Sequence, residues 1–171
     1  MIVLGLILSL RDGNYKFCYL ILVEAVMKIV LQRVTKASVR VGEAELGRIG
    51  CGYVILLGVG AMDDEAVADK MIDKIKKLRL FADDAGKTNR SIGDINGEIL
   101  VVSQFTLYAD CRKGNRPSFT DAAPPERAEA LYEYFLSAAR PHFARVECGS
   151  FGAAMQVELV NDGPFTVVLE M

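Results

Sequence analysis

Two apolar runs constrain the fold of this chain more than any other feature of its sequence. Tyr53–Val59 reads YVILLGV between glycines, and Ile99–Phe105 reads ILVVSQF. Apolar runs of about four to eight residues that are bounded by turn residues are typical of strands covered on both faces. The two runs therefore predict the central strands of a sheet with a buried interior.

Shorter segments on either side of these runs alternate apolar and polar residues and predict further strands. They are Met27–Val34, Ala37–Val41 and Glu45–Ile49 before the runs, and Arg145–Glu147, Met155–Val160 and Phe165–Leu169 after them. Most of the domain is therefore expected to be β-structure.

Two amphipathic helices are predicted within this pattern. The first opens at Asp63–Glu65, where carboxylates favour a helix N-terminus, and ends in the basic cluster Lys74–Arg79. The second starts at Pro124–Pro125 and ends before Pro141, since proline suits a first turn and breaks a helix interior.

The remaining segments complete a single-domain prediction. Residues 83–97 and 109–123 are polar and rich in turn formers, so they are predicted to be loops. A chain of 171 residues can form one core. We predict an α+β fold, with a curved, mostly antiparallel or mixed, barrel-like sheet and two main helices.

The first 26 residues do not continue this pattern. Two short apolar runs flank Arg11–Asn14, and neither reaches the ~20 residues that span a bilayer. No basic residue precedes the first run, as a secretory signal requires. Three interpretations remain: a signal or anchor, an added strand pair around an Asp-Gly-Asn turn, and a start-site artefact. We favour the artefact, with Met27 as the biological start, and divide the chain into an atypical extension, 1–26, and a domain, 27–171.

Composition limits the chemistry that the domain can perform. A net charge of −2 and a pI of about 5.5 disfavour nonspecific nucleic-acid binding, so we expect no DNA partner. The cysteines form no C-x-x-C pair, which predicts neither a zinc site nor disulfides, and reduced thiols are typical of a cytosolic protein. We expect Cys51, Cys111 and Cys148 to pack. Because His142 is the single histidine, a histidine metal cluster is excluded. It is expected at the surface or as a cap at the end of the second helix.

Polar residues at the end of the second apolar run form one candidate site. Ser103, Gln104 and Thr106 need hydrogen-bond partners if they are buried. They either cap the strand and bond to a loop, or present hydroxyl, amide and backbone N–H groups to a cleft.

The segment NDGP at 161–164 is a second candidate. Its residues are all turn formers, which predicts a hairpin turn between the last two strands. The alternative is a functional turn, because a Gly-Pro bond can be cis and the sequence leaves the isomer open.

These two segments lie in a longer pattern that resembles the D-aminoacyl-tRNA deacylases of the bacterial and eukaryotic type. The matching segments are QRV at 32–34, ASV at 37–39, SQFTL at 103–107, RPSF at 116–119, AEALY at 128–132, and NDGP at 161–164 with Thr166. The order of SQFT and NDGP is specific, whereas either motif alone would be weak. The extension before Met27 departs from the family pattern.

The resemblance implies a cytoplasmic homodimer that hydrolyses the ester between a D-amino acid and the 3′ end of tRNA, without a metal or an organic cofactor and with no membrane partner. It places Ser103, Gln104, Phe105 and Thr106 in the catalytic site. It also implies that a cis Gly163–Pro164 motif reaches into the site of the partner subunit, where Arg33 supports the motif and Met155 lines the pocket. The expected role is chiral proofreading in translation. Rejection of L-aminoacyl-tRNA by main-chain atoms would leave achiral glycine, including glycyl-tRNA mischarged on tRNA-Ala, poorly discriminated.

The residues themselves are compatible with hydrolysis by water. Backbone N–H groups of Phe105 and Thr106 would stabilise an oxyanion, and the 2′-OH of the RNA would help to position the water. Thr106 has no adjacent base and ranks below water as the nucleophile. Two other classes stay open: a module that binds the tRNA end without turnover, and a different ester or amide hydrolase that uses a cysteine or His142.

Overall fold

A six-stranded mixed sheet forms the centre of the structure, and both helices pack against one of its faces. This computed structural model describes residues 5–11, 14–20, 26–112 and 114–171. The strands are β1 (Gly5–Arg11), β2 (Asn14–Leu20), β3 (Lys28–Val41), β4 (Ala44–Ile49), β5 (Gly52–Gly58), β6 (Arg79–Ala82), β7 (Thr88–Ser91), β8 (Glu98–Ser103), β9 (Val146–Cys148) and β10 (Gln156–Glu170). The helices are α1 (Glu65–Lys77) and α2 (Pro125–Ala139), and short 3-10 turns occupy Gly93–Ile95, Phe105–Tyr108 and Arg140–His142.

The main sheet has the strand order β10-β3-β5-β8-β9, and β4 pairs with β3 beside this path. The β5–β8 and β8–β9 pairs are parallel, and the other pairs are antiparallel. Because β4 also contacts β9, the sheet curves into a nearly closed barrel. The predicted α+β fold with a curved, mixed sheet and two helices is confirmed.

Side chains of β5 alternate between two apolar clusters on opposite faces of the sheet. Tyr53, Ile55 and Leu57 pack with α1 and α2, whereas Val54 packs with the second half of β3. The side chains of β8 alternate in the same way. Both faces of these two strands are covered, which explains why each is apolar at nearly every position.

β3 is one continuous strand where the sequence predicts two. It passes through the predicted break at residues 35–36. Leu31 packs in the cluster on the helix side, and Val34 and Val39 pack in the other cluster. The strand changes faces instead of ending, so its second half curls with β4 over the second cluster.

The prediction of a loop at residues 83–97 is wrong for part of this segment, which contains a strand and a 3-10 turn. β6 and β7 form an antiparallel pair, and a 3-10 turn follows at Gly93–Ile95. Asp83 Oδ1 accepts the backbone N–H groups of Ala85 and Lys87, which closes the turn between the two strands. The polar composition therefore belongs to an exposed hairpin. The other predicted loop, 109–123, contains no helix or named strand among its described residues.

Both predicted helices are confirmed, with boundaries close to those expected. Asp64 is the N-cap of α1, and its Oδ1 accepts the Val67 N–H at 2.9 Å. Lysines occupy the last turn of α1, where they oppose the negative end of the helix dipole. Pro125 is the first residue of α2, as suits a residue without an N–H group.

The N-terminal residues contain an antiparallel strand pair, β1 with β2. This pairing matches the strand-pair interpretation of the two apolar runs. Of the expected Asp-Gly-Asn turn, Asp12 and Gly13 lie outside the described residues, and Asn14 is the first residue of β2. The start at Met27 stays a prediction. In the described part of the chain, no helix has the length and apolarity to cross a membrane.

Candidate active site

The residues that follow β8 form a short turn at the open end of that strand. The sequence predicts a strand that runs to Phe105. The strand β8 ends at Ser103, so this prediction is wrong for Gln104 and Phe105. The Gln104 N–H donates to the Leu57 carbonyl at 2.7 Å, which fixes the turn to the neighbouring strand β5. The chain then enters the 3-10 turn that ends at Tyr108, and we refer to residues 104–108 as the 104–108 turn.

Two backbone N–H groups at the start of the 104–108 turn have no hydrogen-bond partner in the described part of the chain. The first N–H groups of any helical turn lack partners within it. Phe105 N–H and Thr106 N–H donate no hydrogen bond to any described residue, whereas Leu107 N–H donates to Gln104 O at 3.3 Å. The Gln104 Nε2 group donates to Thr106 Oγ1, which orients the threonine side chain. Adjacent donors of this kind suit a developing negative charge.

An apolar cavity of about 580 Å³ lies beside the 104–108 turn. Its walls come from the end of β8, the turn, the 119–128 segment and the 151–157 segment. Phe105 and Phe119 both line this cavity and meet edge to face, with ring centroids 5.0 Å apart. Phe105 is 58% exposed, so this part of the cavity wall is accessible to solvent. The lining residues are Val102, Ser103, Gln104, Phe105, Phe119, Ala122, Ala123, Pro125, Ala128, Phe151, Gly152, Ala153, Met155 and Val157.

The NDGP segment is a bulge inside one strand, and not the predicted hairpin turn. β10 stays paired with β3 on both sides of it, with Asn161 opposite Val34 and Thr166 opposite Gln32. Residues 162–165 thus face the single residue Arg33, and we refer to them as the 162–165 bulge. The continuous partner strand explains why a turn-forming sequence does not reverse the chain here.

Side-chain hydrogen bonds close the base of this bulge. Asn161 Oδ1 accepts the Phe165 N–H at 2.6 Å, and Asn161 Nδ2 donates to Thr166 Oγ1 at 3.3 Å. Gly163 has φ +140°, a conformation that favours glycine. The Gly163–Pro164 peptide bond is cis.

Arg33 on β3 contacts the bulge through hydrogen bonds from its guanidinium group and through the packing of that group on an aromatic ring. Its Nε donates to Asp162 O at 3.1 Å and lies 3.0 Å from Asp162 Oδ2. Its guanidinium lies over the Phe165 ring, 4.8 Å from the centroid. It also donates to Leu80 O at the start of the β6–β7 hairpin. These contacts place Arg33 where it can fix the shape of the bulge.

The structure brings the predicted site residues together in two separate groups. Ser103, Gln104, Phe105 and Met155 line the cavity, and Thr106 lies in the same turn. Arg33, Gly163 and Pro164 form the second group, and none of them lines the cavity. In the sheet, Ser103 on β8 lies opposite Leu57 on β5, and Leu57 lies opposite Ile29 on β3. Ile29 is four residues from Arg33 along β3, which is a distance of roughly 13 Å.

Several residues of these sites were not singled out by their own chemistry. The sequence indicates Phe119 and Asn161 only as members of the RPSF and NDGP segments, and it indicates no role for Phe151. Phe151 and Phe119 come from separate irregular segments that meet only in the folded chain. No periodic pattern in the sequence could have predicted that meeting.

The three cysteines whose side chains the structure describes, and the single histidine, give no alternative centre. Cys51 and Cys111 are exposed, so the packing prediction is wrong for them, and Cys148 is partly buried. Partial desolvation of the sulfur atom raises the pKa of the Cys51 and Cys148 thiols, which disfavours the nucleophilic thiolate. His142 is exposed, as predicted, and does not line the apolar cavity.

Asp63 is a buried carboxylate behind the 104–108 turn. It is 1% exposed, its Oδ2 accepts the Gly60 N–H at 2.6 Å, and its Oδ1 has no partner among the described residues. Burial raises the pKa of Asp63, although the Gly60 hydrogen bond opposes that shift. The ionised carboxylate therefore weakens the folded state near neutral pH.

We expect Asp63→Asn to remove a pH dependence of stability. The folded wild type keeps a proton that the unfolded chain releases, so its stability falls as the pH rises above the ordinary Asp pKa and levels off beyond the raised one. Urea unfolding between about pH 4 and 7 should show this decline in wild type and less of it in the variant. The exposed Glu43→Gln is the control, and equal declines in wild type and Asp63→Asn would contradict the assignment.

An apolar cavity beside backbone donors that bond to no described residue suits the chemistry of acyl transfer. The family model described as D-Tyr-tRNA(Tyr) deacylase matches residues 30–170. A D-aminoacyl-tRNA deacylase of Desulfitobacterium hafniense is 56% identical over 144 residues, covering 84% of this chain and 97% of the relative. One of Thermotoga petrophila is 52% identical over the same length and coverage.

Solved structures agree with this comparison. A chain titled c-Myc DNA Unwinding Element Binding Protein superposes with a TM-score of 0.80 at 45% identity, covering 84% of this chain and 98% of the other. A probable eukaryotic D-amino acid tRNA deacylase gives a TM-score of 0.77 at 16% identity, covering 85% and 100%, which shows the shared fold. The chain is thus a hydrolase by class. It belongs to the D-Tyr-tRNA(Tyr) deacylase family.

Proposed function

We propose that this enzyme hydrolyses the ester that joins a D-amino acid to the terminal adenosine of tRNA, and so removes D-amino acids before translation uses them. One observation carries the proposal: the N–H groups of Phe105 and Thr106, beside the apolar cavity, have no partner among the described residues. The named relatives support the substrate class. The reaction needs no metal and no organic cofactor, and its place is the cytoplasm.

The chemistry follows from these two donors. The ester carbonyl oxygen is directed at the Phe105 and Thr106 N–H groups, which stabilise the negative charge as it develops. A water oxygen bonds to the carbonyl carbon, the bond from that carbon to the ribose oxygen breaks, and the water proton passes to the leaving ribose oxygen. The neighbouring 2′-OH of the RNA helps to position the water. The substrate is already an activated ester, so the site manages without a histidine or thiolate.

Thr106 acts through its N–H group, and its hydroxyl is dispensable. We expect Thr106→Ala to retain turnover within about tenfold of wild type, because it loses one hydrogen bond with Gln104 and keeps the backbone donor. Single-turnover deacylation measures this effect, with Thr106→Ser as the conservative comparison. An acyl group trapped on Thr106 and identified by mass spectrometry would contradict the assignment of water as the nucleophile.

Selection against L-amino acids rests on the main chain of the 162–165 bulge. The Gly163 and Pro164 carbonyls accept the substrate ammonium, so an L side chain must point into main-chain atoms, whereas a D side chain points away. Gly163 lacks a Cβ and permits close approach, and Pro164 presents no N–H group to the substrate. Glycine has no side chain to exclude, so glycyl-tRNA, including that mischarged on tRNA-Ala, is also a substrate.

The enzyme acts as a homodimer in which the bulge of one protomer completes the cavity of the other. The separation of the two residue groups within one chain supports this arrangement. Mixing Phe105→Pro with Gly163→Ala protein under subunit exchange tests it. Random exchange should restore about a quarter of the wild-type sites, because half of the dimers are mixed and each holds one intact site. A mixture that stays as inactive as its components would contradict sharing between protomers.

Arg33 positions the bulge, and lysine cannot replace it. Lysine lacks the planar fork that contacts Asp162 and Phe165 together. We expect Arg33→Lys to lower kcat/KM for D-Tyr-tRNA by about tenfold or more, since at least one hydrogen bond from a charged group is lost. Arg40→Lys is the matched control, because Arg40 lies on the same strand and pairs with Glu158 at 3.2 Å in solvent. Equal effects of the two substitutions would contradict a positioning role for Arg33.

Deacylation of D-Tyr-tRNA against L-Tyr-tRNA, with glycyl-tRNA-Ala as a third substrate, tests the proposed function directly. We expect turnover of the D and glycyl esters and rejection of the L ester. Tight binding of the tRNA end without turnover would favour a binding module instead. Activity lost on thiol alkylation or on a His142→Ala change would favour a different hydrolase.

A further inference from the structure

Tyr108 is the one buried residue of the 104–108 turn, whose other residues are exposed or half-buried. It is 7% exposed, while Phe105 at the other end of the turn is 58% exposed. Its hydroxyl donates to Val26 O, and Lys28 Nζ lies 4.9 Å from its ring centroid. The N–H groups of Phe105 and Thr106 bond to no residue that the structure describes, so the position of these groups depends on how the rest of the turn is fixed.

Two glycines allow the Tyr108 ring to lie close to the end of β5. A Cβ built on Gly58 would lie 3.0 Å from Tyr108 Cε2, 3.1 Å from Gln104 O and 3.2 Å from Leu107 Cβ. A Cβ built on Gly60 would lie 2.8 Å from the Tyr108 hydroxyl oxygen. The turn and its tyrosine therefore fit against β5 only because these positions carry no side chain.

The segment under Tyr108 is itself fixed to the cavity wall. Asp63 N–H donates to Gly60 O at 3.2 Å, and Asp63 Oδ2 accepts the Gly60 N–H in return. Arg127 on α2 donates to Asp63 O at 2.7 Å. Ala123, which lines the cavity, donates its N–H to Val59 O at 3.0 Å. The same short segment thus supports the 104–108 turn and one wall of the cavity.

We propose that Tyr108 is a positioning residue for the deacylation: its ring, packed on Gly58 and Gly60, sets where the Phe105 and Thr106 N–H groups lie relative to the cavity. The proposal rests on the proposed function of those two groups. Tyr108 touches no substrate, and it acts only through the geometry of the turn. A displacement of the donors weakens their contact with the oxyanion far more than it weakens substrate binding.

Gly58→Ala and Tyr108→Leu test the proposal in the full chain. The alanine Cβ must displace the turn by a few tenths of an ångström. We expect each variant to lower kcat for D-Tyr-tRNA by about tenfold, because donor placement governs the transition state. KM should stay within about twofold of wild type. Tyr108→Phe keeps the ring on both glycines and should restore kcat to within about threefold of wild type.

Gly50→Ala is the matched glycine control, since the nearest atom to its Cβ would be Glu98 Oε2 at 3.8 Å. Amide hydrogen exchange supplies a second measurement that does not depend on activity. The hydrogen-bonded amides of Gln104, Leu107 and Ala109 should exchange faster in Gly58→Ala and Tyr108→Leu than in Gly50→Ala.

The outcomes separate this inference from the proposed function. An inactive wild type would refute the proposed function, and the exchange rates would then decide whether Tyr108 positions the turn. An active wild type with unchanged kcat and exchange in folded Gly58→Ala and Tyr108→Leu would overturn the positioning role. A rise in KM alone, or equal losses in Gly50→Ala, would overturn it as well.

Discussion

Phe105→Pro should lower kcat for D-aminoacyl-tRNA hydrolysis by about 100- to 1000-fold, the usual cost of losing one oxyanion donor. Proline removes the Phe105 N–H group, which bonds to no described residue and is thus dispensable for the turn itself. Phe105 is the first residue of the 3-10 turn, a position that proline favours. The substitution therefore removes the proposed donor and leaves the backbone hydrogen bonds of the turn intact.

Phe105→Ala is the control for the loss of the aromatic ring. It keeps the N–H group but loses the edge contact with Phe119. Single-turnover rates at saturating D-Tyr-tRNA, with circular dichroism for folding, compare the two variants. Equal kcat in folded Phe105→Pro and Phe105→Ala would show that the backbone donor contributes nothing to the reaction.

Gly163→Ala should reduce turnover of D-aminoacyl-tRNA by about 100-fold, because an ångström of misplacement at a reacting centre has this effect. Gly163 has φ +140°, which L side chains rarely adopt, and its Cβ would lie 2.9 Å from Phe165 N and 3.2 Å from Phe165 Cβ. The bulge must change shape to accept the methyl group. Its carbonyls then no longer face the substrate ammonium as proposed.

Gly42→Ala separates this effect from simple backbone strain. Gly42 also has a positive φ, +55°, but nothing lies within 4 Å of its Cβ. D- and L-Tyr-tRNA hydrolysis by both variants is measured beside their thermal unfolding. Wild-type rates and unchanged selectivity in folded Gly163→Ala would move chiral selection to the side chains of the cavity.

The sequence predicts well those elements whose environment repeats along the chain. β5, β8 and both helices are found where their apolar patterns predict them. A strand buried on both faces needs a continuous apolar run, and a helix buried on one face needs apolar residues at helical spacing, so both are visible in the sequence. β3 and β10 are longer than predicted. Their breaks in pattern mark a change of face at residues 35–36 and a bulge at 162–165, and a local pattern cannot distinguish either from a chain reversal.

The candidate site also has a part that local sequence patterns predict and a part that they do not. The polar residues after β8 indicate a strand end that faces a cleft, and the cavity lies there. Their proposed roles, and the pairing of SQFT with NDGP, come from the family resemblance and stay predictions. The opposing wall at Phe119 and Phe151 depends on contacts between distant segments, which no spacing in the sequence records.

β10 links two places that the proposed dimer would use at once. Val157, near its start, lines the cavity of its own protomer, and Gly163 is six residues further along the same strand, roughly 20 Å away. In the dimer, one hydrogen-bonded strand would thus contact both substrates. The two proposed sites of a dimer would therefore be connected through the main chain of one strand, and not only through the subunit interface.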